Sequence, residues 1–389
     1  MNDGRTVFTQ LMEFVPFYEF RKCVDRYHGN YRSRTFSCLD QFLCMAFAQL
    51  TYRESLRDIE TCLRTFQSRL YHAGFRGKVS RSTLADANET RPWRIYADFA
   101  QILIRIARPL YLKEDFGVTL DQTAYAFDAT TIDLSLSVFP WAPSRQRKAG
   151  VKLHTLLDLR GSIPCFIHIT RANINEVRIL DQLLLEPGAF YIMDRGFLDY
   201  ARLYVFTKNA AFFITRAKKH TVVSWRASRP VDKSTGLRSD QTIHLAGLKA
   251  DEHYPDNLRR IHYLHPETQK NLVFLTNNFT LPALTIAQLY KARWRVELFF
   301  KWIKQYLRIK AFYGTSENAV KTQIWIAVST YVLIAIIKKK LNLVRSPGEI
   351  LQILSLTLFE KIVLYQLLAN FDLEYLPIDS EKQLELFSS

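Results

Sequence analysis

The run Ala124–Leu134, AYAFDATTIDL, combines aromatic and β-branched residues with an aspartate in its apolar half. This composition over a short stretch predicts a β-strand. Asp128 lies inside the apolar part of the strand, where an unpaired carboxylate is costly because it loses its hydration. We therefore expect Asp128 to pair with a cation or to bind one. Asp133, five residues further on, is expected to point to the opposite face of the strand.

Further strand-like runs follow, interrupted by a helical stretch. The runs lie at 151–159, 165–170, 189–193 and 212–215, and the helical pattern lies at 175–185. Strands and helices in this order predict an α/β fold built on a mixed sheet. The run at 189–193 ends directly at Asp194, which Arg195 and Gly196 follow. Asp194 is therefore a second carboxylate at a strand that needs a cationic partner.

The first 115 residues have the pattern of an all-α N-terminal domain. Ser80 is expected to begin a helix, because a serine hydroxyl accepts a hydrogen bond from a free N–H group there. A turn-prone, glycine-containing stretch at 73–77 comes just before it. Short helices around such a turn are typical of a helix-turn-helix. The sequence leaves open whether these helices bind DNA or only pack together.

The positive charge of the chain is concentrated in one segment. The whole sequence carries +16, and residues 201–310 contain 20 basic and 7 acidic side chains. Within that segment, residues 217–271 are polar and turn-rich with short β-like pieces at 221–225 and 260–264, which indicates a β-rich basic insertion. Such a segment suits a polyanion, most simply nucleic-acid phosphate. The alternative is a basic, solvated surface without a specific partner.

A long helix is predicted after the insertion, from Thr285 to about residue 309. Thr285 and Gln288 have the spacing of a capping box. At 100° per residue, one set of polar side chains falls within about 80° on one face. This set is Tyr290, Arg293, Glu297, Lys301 and Lys304. The opposite, apolar side is expected to be buried, and it consists of Val296, Phe299, Trp302 and Ile303.

The glutamate on that helix has two interpretations. Glu297 is spaced for i,i+4 ion pairs with Arg293 and Lys301, which would be purely structural. Together with Asp128 and Asp194, however, it supplies the hard oxygen ligands that Mg²⁺ prefers. Two Mg²⁺ ions about 4 Å apart can activate a water molecule and stabilise the leaving oxygen in phosphoryl transfer. The three carboxylates are therefore the candidate metal ligands.

These residues resemble those of a known family. Tyr290, Arg293, Glu297 and Lys304 have the spacing Y-x2-R-x3-E-x6-K, the signature of the insertion-sequence-four family of DDE transposases. Asp128 in FDATTID and Asp194 in MDRGF stand where that family has its first and second catalytic aspartates. The runs at 151–164 and 275–278 are also similar. The resemblance covers about residues 120–342, and residues 1–110 resemble the helical domain found in one branch of the family.

The resemblance implies a fold and an activity. It implies a ribonuclease H-like catalytic core with a β-rich insertion between the second aspartate and the glutamate. It also implies Mg²⁺-dependent cleavage at transposon ends, with Mn²⁺ as a substitute, and strand transfer by the freed 3′-hydroxyl. The expected catalytic residues and metal ligands are Asp128, Asp194 and Glu297.

The resemblance also implies DNA contacts. Tyr290, Arg293 and Lys304 would contact DNA near the transposon tip, and Lys301 shares their face. Trp294 and Trp225 are candidates to stack on a flipped base, with plain packing as the alternative. In the basic segment we expect Lys218 and Lys219 to contact phosphate, unless they face solvent away from DNA.

The remaining composition excludes several classes of protein. Hydrophobic residues make up 48% and charged residues 23%, which is ordinary globular composition and not that of a disordered chain. The five cysteines show no C-x-x-C pair, so we expect reduced thiols in a cytosol rather than a disulfide framework or zinc site. The most apolar run, 324–337, is shorter than the ~20 residues needed to span a bilayer. We interpret it as a buried core helix, and expect a cytoplasmic, nucleoid-associated protein without a membrane partner.

The sequence therefore predicts a prokaryotic transposase with four parts. They are a helical N-terminal domain at 1–115, a catalytic core at 120–216 and 272–345, an insertion at 217–271, and a helical tail at 346–389. Its partners would be terminal inverted repeats and target DNA, held by a homodimer. Two alternatives stay open: a nuclease that uses the same carboxylates with water alone, and a DNA-binding derivative that has lost catalysis.

Overall fold

The computed structural model describes residues 4–71, 74–75, 77–144, 149–306 and 312–369. The α-helices in these ranges are α1 (Val7–Met12), α2 (Phe17–Arg26), α3 (Cys38–Leu50), α4 (Leu56–Thr65), α5 (Gln67–Leu70), α6 (Arg81–Thr90), α7 (Arg94–Leu110), α8 (Tyr200–Lys208), α9 (Leu248–His253), α10 (Ala283–Ala292), α11 (Trp294–Tyr306), α12 (Glu317–Lys340), α13 (Pro347–Thr357) and α14 (Leu364–Leu368). The strands are β1 (Ala124–Leu134), β2 (Ala149–Asp158), β3 (Ile163–Arg171), β4 (Phe190–Met193), β5 (Phe212–Arg216), β6 (Val223–Arg229), β7 (Leu237–Leu245), β8 (Leu258–Leu264) and β9 (Asn271–Thr276).

The strands form one mixed sheet with the order β3-β2-β1-β4-β5-β9-β8-β7-β6. β1, β2 and β3 pair in antiparallel fashion, whereas β4 pairs in parallel with β1 and β5 in parallel with β4. This 3-2-1-4-5 order with an antiparallel second strand is that of a ribonuclease H-like fold. The predicted fold class is confirmed, and β1 has the bounds expected from the sequence.

The basic insertion adds strands to the same sheet. β6, β7 and β8 form an antiparallel meander, and β8 pairs with β9, which in turn pairs with β5. β7 was not expected from the sequence, because its residues LRSDQTIHL alternate weakly and include charges. The segment expected to be helical at 175–185 contains a 3₁₀-helix at Glu176–Gln182. The proposed domain boundaries stay predictions.

The alternation of side chains along β1 divides the core between the two faces of the sheet. Ala124 and Ala126 pack in the larger cluster, which also contains buried residues of α7, α10, α11 and α12. Tyr125 and Phe127 pack in a second cluster with residues of α8. Asp128 follows this alternation onto the face covered by α11, because successive side chains of a strand point to opposite faces.

The apolar run expected to form a core helix lies in α12. This helix has 24 residues, ten more than the apolar run, so it is long and apolar enough to cross a membrane by length and composition. However, 94% of its apolar window is buried inside the protein, where it packs against α3, α6 and α7. Burial in the core therefore accounts for its composition.

The N-terminal helices are capped as the sequence indicates. The Ser80 hydroxyl accepts a hydrogen bond from the N–H of Thr83 at 3.2 Å, and α6 begins at the next residue. α6 packs against α3, α4 and α12. The predicted start of this helix is confirmed, whereas a role of these helices in DNA binding stays a prediction.

The helix predicted from Thr285 to residue 309 differs from the structure in two ways. α10 begins at Ala283 behind Pro282, so Thr285 lies inside the helix and the predicted capping box is wrong. Proline favours this position because its fixed φ suits the start of a helix. The helical path is also interrupted at Arg293, which separates α10 from α11. Residues 307–309 lie outside the described ranges, as do residues 370–389 of the expected helical tail.

Candidate active site

The two predicted catalytic aspartates lie on or directly after neighbouring parallel strands. Phe127 of β1 is in register with Met193, the last residue of β4. Asp128 and Asp194 each follow one member of this pair. Both sit where the strands leave the buried core, and both are partly exposed. One Asp128 oxygen accepts a hydrogen bond from the Ala129 N–H at 2.8 Å. Parallel pairing therefore brings together two carboxylates that are 66 residues apart in sequence.

Arg293 connects the first aspartate with the predicted catalytic glutamate. Its Nη1 donates to Asp128 Oδ2 at 2.7 Å, and its Nη2 donates to Glu297 Oε1 at 2.7 Å. Only 14% of the Arg293 side chain is exposed, against 20% for Asp128 and 32% for Glu297. The guanidinium fork is thus a partly buried bridge between strand β1 and helix α11. The i,i+4 ion pair that the sequence allowed between Arg293 and Glu297 is present.

Tyr290 of α10 contacts the second predicted aspartate, Asp194. Its hydroxyl donates to Asp194 Oδ1 at 3.1 Å. The Tyr290 ring packs 4.8 Å from the ring of Phe274 on β9, and the Arg293 guanidinium lies 5.7 Å from the Tyr290 ring centre. Tyr290 and Arg293 therefore place both aspartates and the glutamate in one continuous contact network.

Burial sets the ionisation of this network. Burial raises the pKa of Asp128 above its ordinary value, although the charge of Arg293 opposes the shift. Burial works against the charge of Arg293, yet Asp128, Tyr290 and Glu297 outweigh it and raise the pKa of the guanidinium. Burial also raises the pKa of the Tyr290 phenol to about 12. Arg293 is therefore a permanent cation, and Tyr290 is a neutral hydrogen-bond donor at neutral pH.

The buried side of α11 agrees with the sequence. Val296, Phe299 and Ile303 are 3% exposed or less, and Trp302 is half-buried. This burial fixes the rotation of α11, so that Glu297 and Lys304 point towards β1. The Lys304 ammonium donates to the Thr131 carbonyl of β1 at 2.8 Å.

The remaining predicted DNA contacts lie at the surface. Trp294 is 58% exposed and Trp225 is 62% exposed, while Lys301 and Lys219 are also exposed. The Lys218 ammonium donates to the Leu198 carbonyl at 3.4 Å. Lys218 and Lys219 line a basic concavity together with three arginines that sequence reasoning missed, namely Arg195, Arg216 and Arg260. The concentration of charge in 201–310 was the signal that could have found two of the three.

The three carboxylates offer oxygen donors, and other protein side chains hold some of these oxygens. Carboxylate oxygens are the right donors for Mg²⁺. Across the ranges that the structure describes, no group of three His, Cys, Asp or Glu side chains is arranged to hold an ion. Arg293 instead bonds to oxygens of Asp128 and Glu297, and Tyr290 bonds to one of Asp194. The donor type therefore fits a metal, whereas the arrangement seen here serves Arg293 and Tyr290.

Comparison with known proteins identifies the family to which this ribonuclease H-like sheet belongs. Residues 119–333 match the family model described as "Transposase DDE domain", and residues 3–76 match a domain of unknown function, DUF4372. The chain belongs to the transposase DDE domain family. All the residues of the contact network lie in the matched region.

Two curated relatives carry provisional names as transposases. The protein y4zB of Sinorhizobium fredii is 34% identical over 269 residues, which is 68% of this chain and 73% of that protein. The Geobacillus stearothermophilus protein named for insertion sequence element IS5377 is 30% identical over 209 residues, which is 53% of this chain and 54% of that protein. A solved synaptic complex of piggyBac transposase with hairpin DNA aligns over 91% of this chain and 78% of its own, with 9% identity and a TM-score of 0.42. That likeness is too weak to support an inference.

Proposed function

We propose that this protein cuts DNA at the ends of an insertion sequence and joins the freed ends to target DNA, with Mg²⁺ as cofactor. The observation that carries the proposal is the contact network of Asp128, Asp194 and Glu297 through Arg293 and Tyr290. Through these two side chains, carboxylates from three separate elements are linked on one side of the sheet. Because the chain belongs to the transposase DDE domain family, we infer that these carboxylates act on DNA.

The three carboxylates would hold two Mg²⁺ ions, or Mn²⁺ in their place. When bound, the ions would promote deprotonation of the attacking water and stabilise charge on the leaving oxygen. Arg293 must then release Asp128 and Glu297, because metal and guanidinium compete for the same oxygens. The planar fork of Arg293 suits a phosphate equally well, so the released side chain can hold the DNA backbone beside the cleaved bond.

The reaction needs no covalent bond to the protein. Water attacks the phosphorus at the element end, the bond from phosphorus to the 3′-oxygen breaks, and a 3′-hydroxyl is released. That hydroxyl then attacks a phosphorus of the target DNA and displaces another 3′-oxygen. Because one P–O bond replaces another in the second step, the same carboxylates serve both steps.

The other predicted features complete the proposal. Tyr290, Lys301 and Lys304 would contact the transposon tip, Trp294 would stack on an unpaired base, and Lys218 with Lys219 would contact the backbone. The helices of residues 1–115 would bind the inverted repeats. Two copies of the chain would hold the two ends together in the bacterial cytoplasm, on nucleoid DNA.

The test is single-turnover cleavage of a labelled duplex that contains the inverted repeat bracketing the gene. Asp128→Asn should abolish cleavage in Mg²⁺ and leave duplex binding intact. Asp133→Asn is the matched control, because Asp133 is exposed on the same strand and belongs to its other face. Asp128→Asn that cleaves at the rate of Asp133→Asn would exclude the assignment of Asp128.

A second assay separates the transposase from its alternatives. A pre-cleaved end with a free 3′-hydroxyl is incubated with a supercoiled target plasmid and Mg²⁺. Joined product is expected for a transposase. Cleavage without joining would indicate a nuclease, and duplex binding without either reaction would indicate a derivative that has lost catalysis.

A further inference from the structure

A basic pocket lies beside the second catalytic aspartate. Its basic side chains are Arg195, Arg216, Lys218, Lys219 and Arg260. Its volume is about 180 Å³, which corresponds to roughly six water molecules at ~30 Å³ each. The space therefore accommodates a compact group such as a phosphate.

The sheet builds this basic pocket around strand β9. Arg216 of β5 is in register with Phe274 of β9, and Arg260 of β8 is in register with Leu275. Because Phe274 and Leu275 are successive residues of β9, the two arginines leave opposite faces of the sheet at neighbouring positions, and both are half-buried. Arg216 belongs to the face of Phe274, and Arg260 belongs to the other face.

Among the residues that the structure describes, no carboxylate pairs with the charges of the basic pocket. Its lining contains no aspartate or glutamate. None of its five cations forms an ion pair with a carboxylate in the described part of the chain. The neighbouring Arg259 is a useful contrast, because both its Nε and its Nη2 bond to Asp240, at 2.9 and 2.7 Å. Arg259 thus forms a buried ion pair with Asp240, whereas Arg260 forms no ion pair with a described carboxylate.

The basic pocket is connected to the candidate active site by sequence and by packing. Arg195 directly follows Asp194, whose carboxylate accepts the hydrogen bond of Tyr290. Arg216 is in register with Phe274, and the Phe274 ring packs against Tyr290. A polyanion bound in the pocket would therefore continue towards the carboxylates.

We propose that the basic pocket binds a backbone phosphate of the DNA strand that reaches Asp194, and so fixes the position of that strand along the active site. This inference rests on the proposed function and deepens it. Guanidinium and ammonium groups without carboxylate partners favour a phosphate, because charge-assisted hydrogen bonds to it replace lost hydration. Arg195, Arg216 and Arg260 thereby join Lys218 and Lys219 as DNA-contacting residues.

The experiment compares double variants that remove two positive charges each. Arg216→Gln with Arg260→Gln (the floor variant) removes the two half-buried cations of the pocket, and Arg195→Gln with Lys219→Gln (the rim variant) removes two exposed ones. The matched control is Arg226→Gln with Arg238→Gln, two exposed arginines on β6 and β7 outside the pocket. The rim variant leaves the interior unchanged, so it gives a result even when the floor variant does not fold.

The readout is the affinity for the inverted-repeat duplex between 50 and 200 mM salt. Each lost phosphate contact should reduce the magnitude of the log–log salt slope by about 0.9. At fixed salt we expect at least about tenfold weaker binding for the pocket variants. The control should keep the wild-type slope. A slope change that is equal in the pocket and control variants would overturn the proposal, because only net charge would then matter.

Two further arms identify the phosphate source and separate this proposal from the proposed function. Inorganic phosphate is titrated at constant ionic strength. Competition with wild-type binding, combined with unchanged duplex affinity in the pocket variants, would assign the pocket to free phosphate and overturn the DNA contact. If wild-type protein binds the duplex with a steep slope but never cleaves it, the proposed function fails while the pocket assignment stands. If it cleaves and the pocket variants match the control, only the pocket assignment fails.

Discussion

Replacing Arg293 by alanine tests the central contact of the site. The change removes the cation that bonds to Asp128 and Glu297 at 2.7 Å each. Removing one partner of a buried ion pair costs about 3–5 kcal/mol, because a buried charge is left alone. Here the carboxylates are 20% and 32% exposed, and water screens part of that cost. We expect the free energy of unfolding to fall by about 2 kcal/mol in EDTA.

Magnesium should reverse this loss in the variant. An ion present at 100 times its dissociation constant stabilises the folded state by about 2.7 kcal/mol. In the alanine variant the ion meets two unpaired carboxylates, whereas in wild type it must first displace Arg293. The variant should therefore gain about 2 kcal/mol more from Mg²⁺ than wild type does.

The assay is thermal or urea unfolding of both proteins in EDTA and in a Mg²⁺ series. Lys301→Ala is the control, since it removes the same charge from an exposed position one turn from Glu297. The reasoning is refuted if wild type and Arg293→Ala gain the same stability from Mg²⁺. In that case Arg293 and the metal would not share the oxygens of Asp128 and Glu297.

Three further outcomes are expected. Arg293→Lys keeps the charge but loses the planar fork, so single-turnover cleavage should slow about 100-fold while Lys301→Ala stays near wild type; equal losses would contradict the geometric role. Burial lowers the pKa of His154 from 6.5 to about 3, so only the unfolded state is protonated between these values. The stabilising effect is complete above pH 6.5 and is lost as the pH falls, by about 2 kcal/mol at pH 5, and His154→Gln should remove this part of the pH dependence in urea unfolding. Asp240→Asn should lower the free energy of unfolding by about 3–5 kcal/mol, because the Arg259 side chain, 3% exposed, loses its carboxylate partner. Urea unfolding should show a smaller loss when Arg259→Met is added to Asp240→Asn.

Strand β1 and the positions of the three carboxylates could be predicted because their signals are local. β1 is recognisable from its aromatic and β-branched residues, and Asp128 within its apolar part is unusual among them. The turn at Asp194 and the spacing of Tyr290, Arg293 and Glu297 are likewise contained in short stretches. Such patterns indicate an element because the period of its apolar residues shows which face it can bury.

The parts that were missed depend on distant partners. The sequence of β7 does not predict a strand, because it contains Arg238 and Asp240. Asp240 can nevertheless be buried, with 3% exposure, because it forms an ion pair with Arg259 of β8. The basic pocket takes Arg195 from the turn after β4, Arg216 from β5 and Arg260 from β8. Such register is a property of the whole sheet, so local sequence cannot supply it.

The most consequential missed feature is that Arg293 forms ion pairs with two carboxylates at once. The sequence identified Arg293 as a DNA contact and separately allowed an ion pair with Glu297, but it could not reveal the bond to Asp128, 165 residues away. Under the proposed function, the DNA role and the carboxylate role compete for one guanidinium. A phosphate that draws Arg293 away frees two carboxylates for the metal, and a metal that takes the carboxylates frees Arg293 for the phosphate. Thermodynamic linkage makes this coupling reciprocal, so Mg²⁺ should tighten DNA binding by the same factor by which DNA tightens Mg²⁺ binding. The Arg293→Ala variant should lose that factor in both directions, which duplex titrations with and without Mg²⁺ can measure.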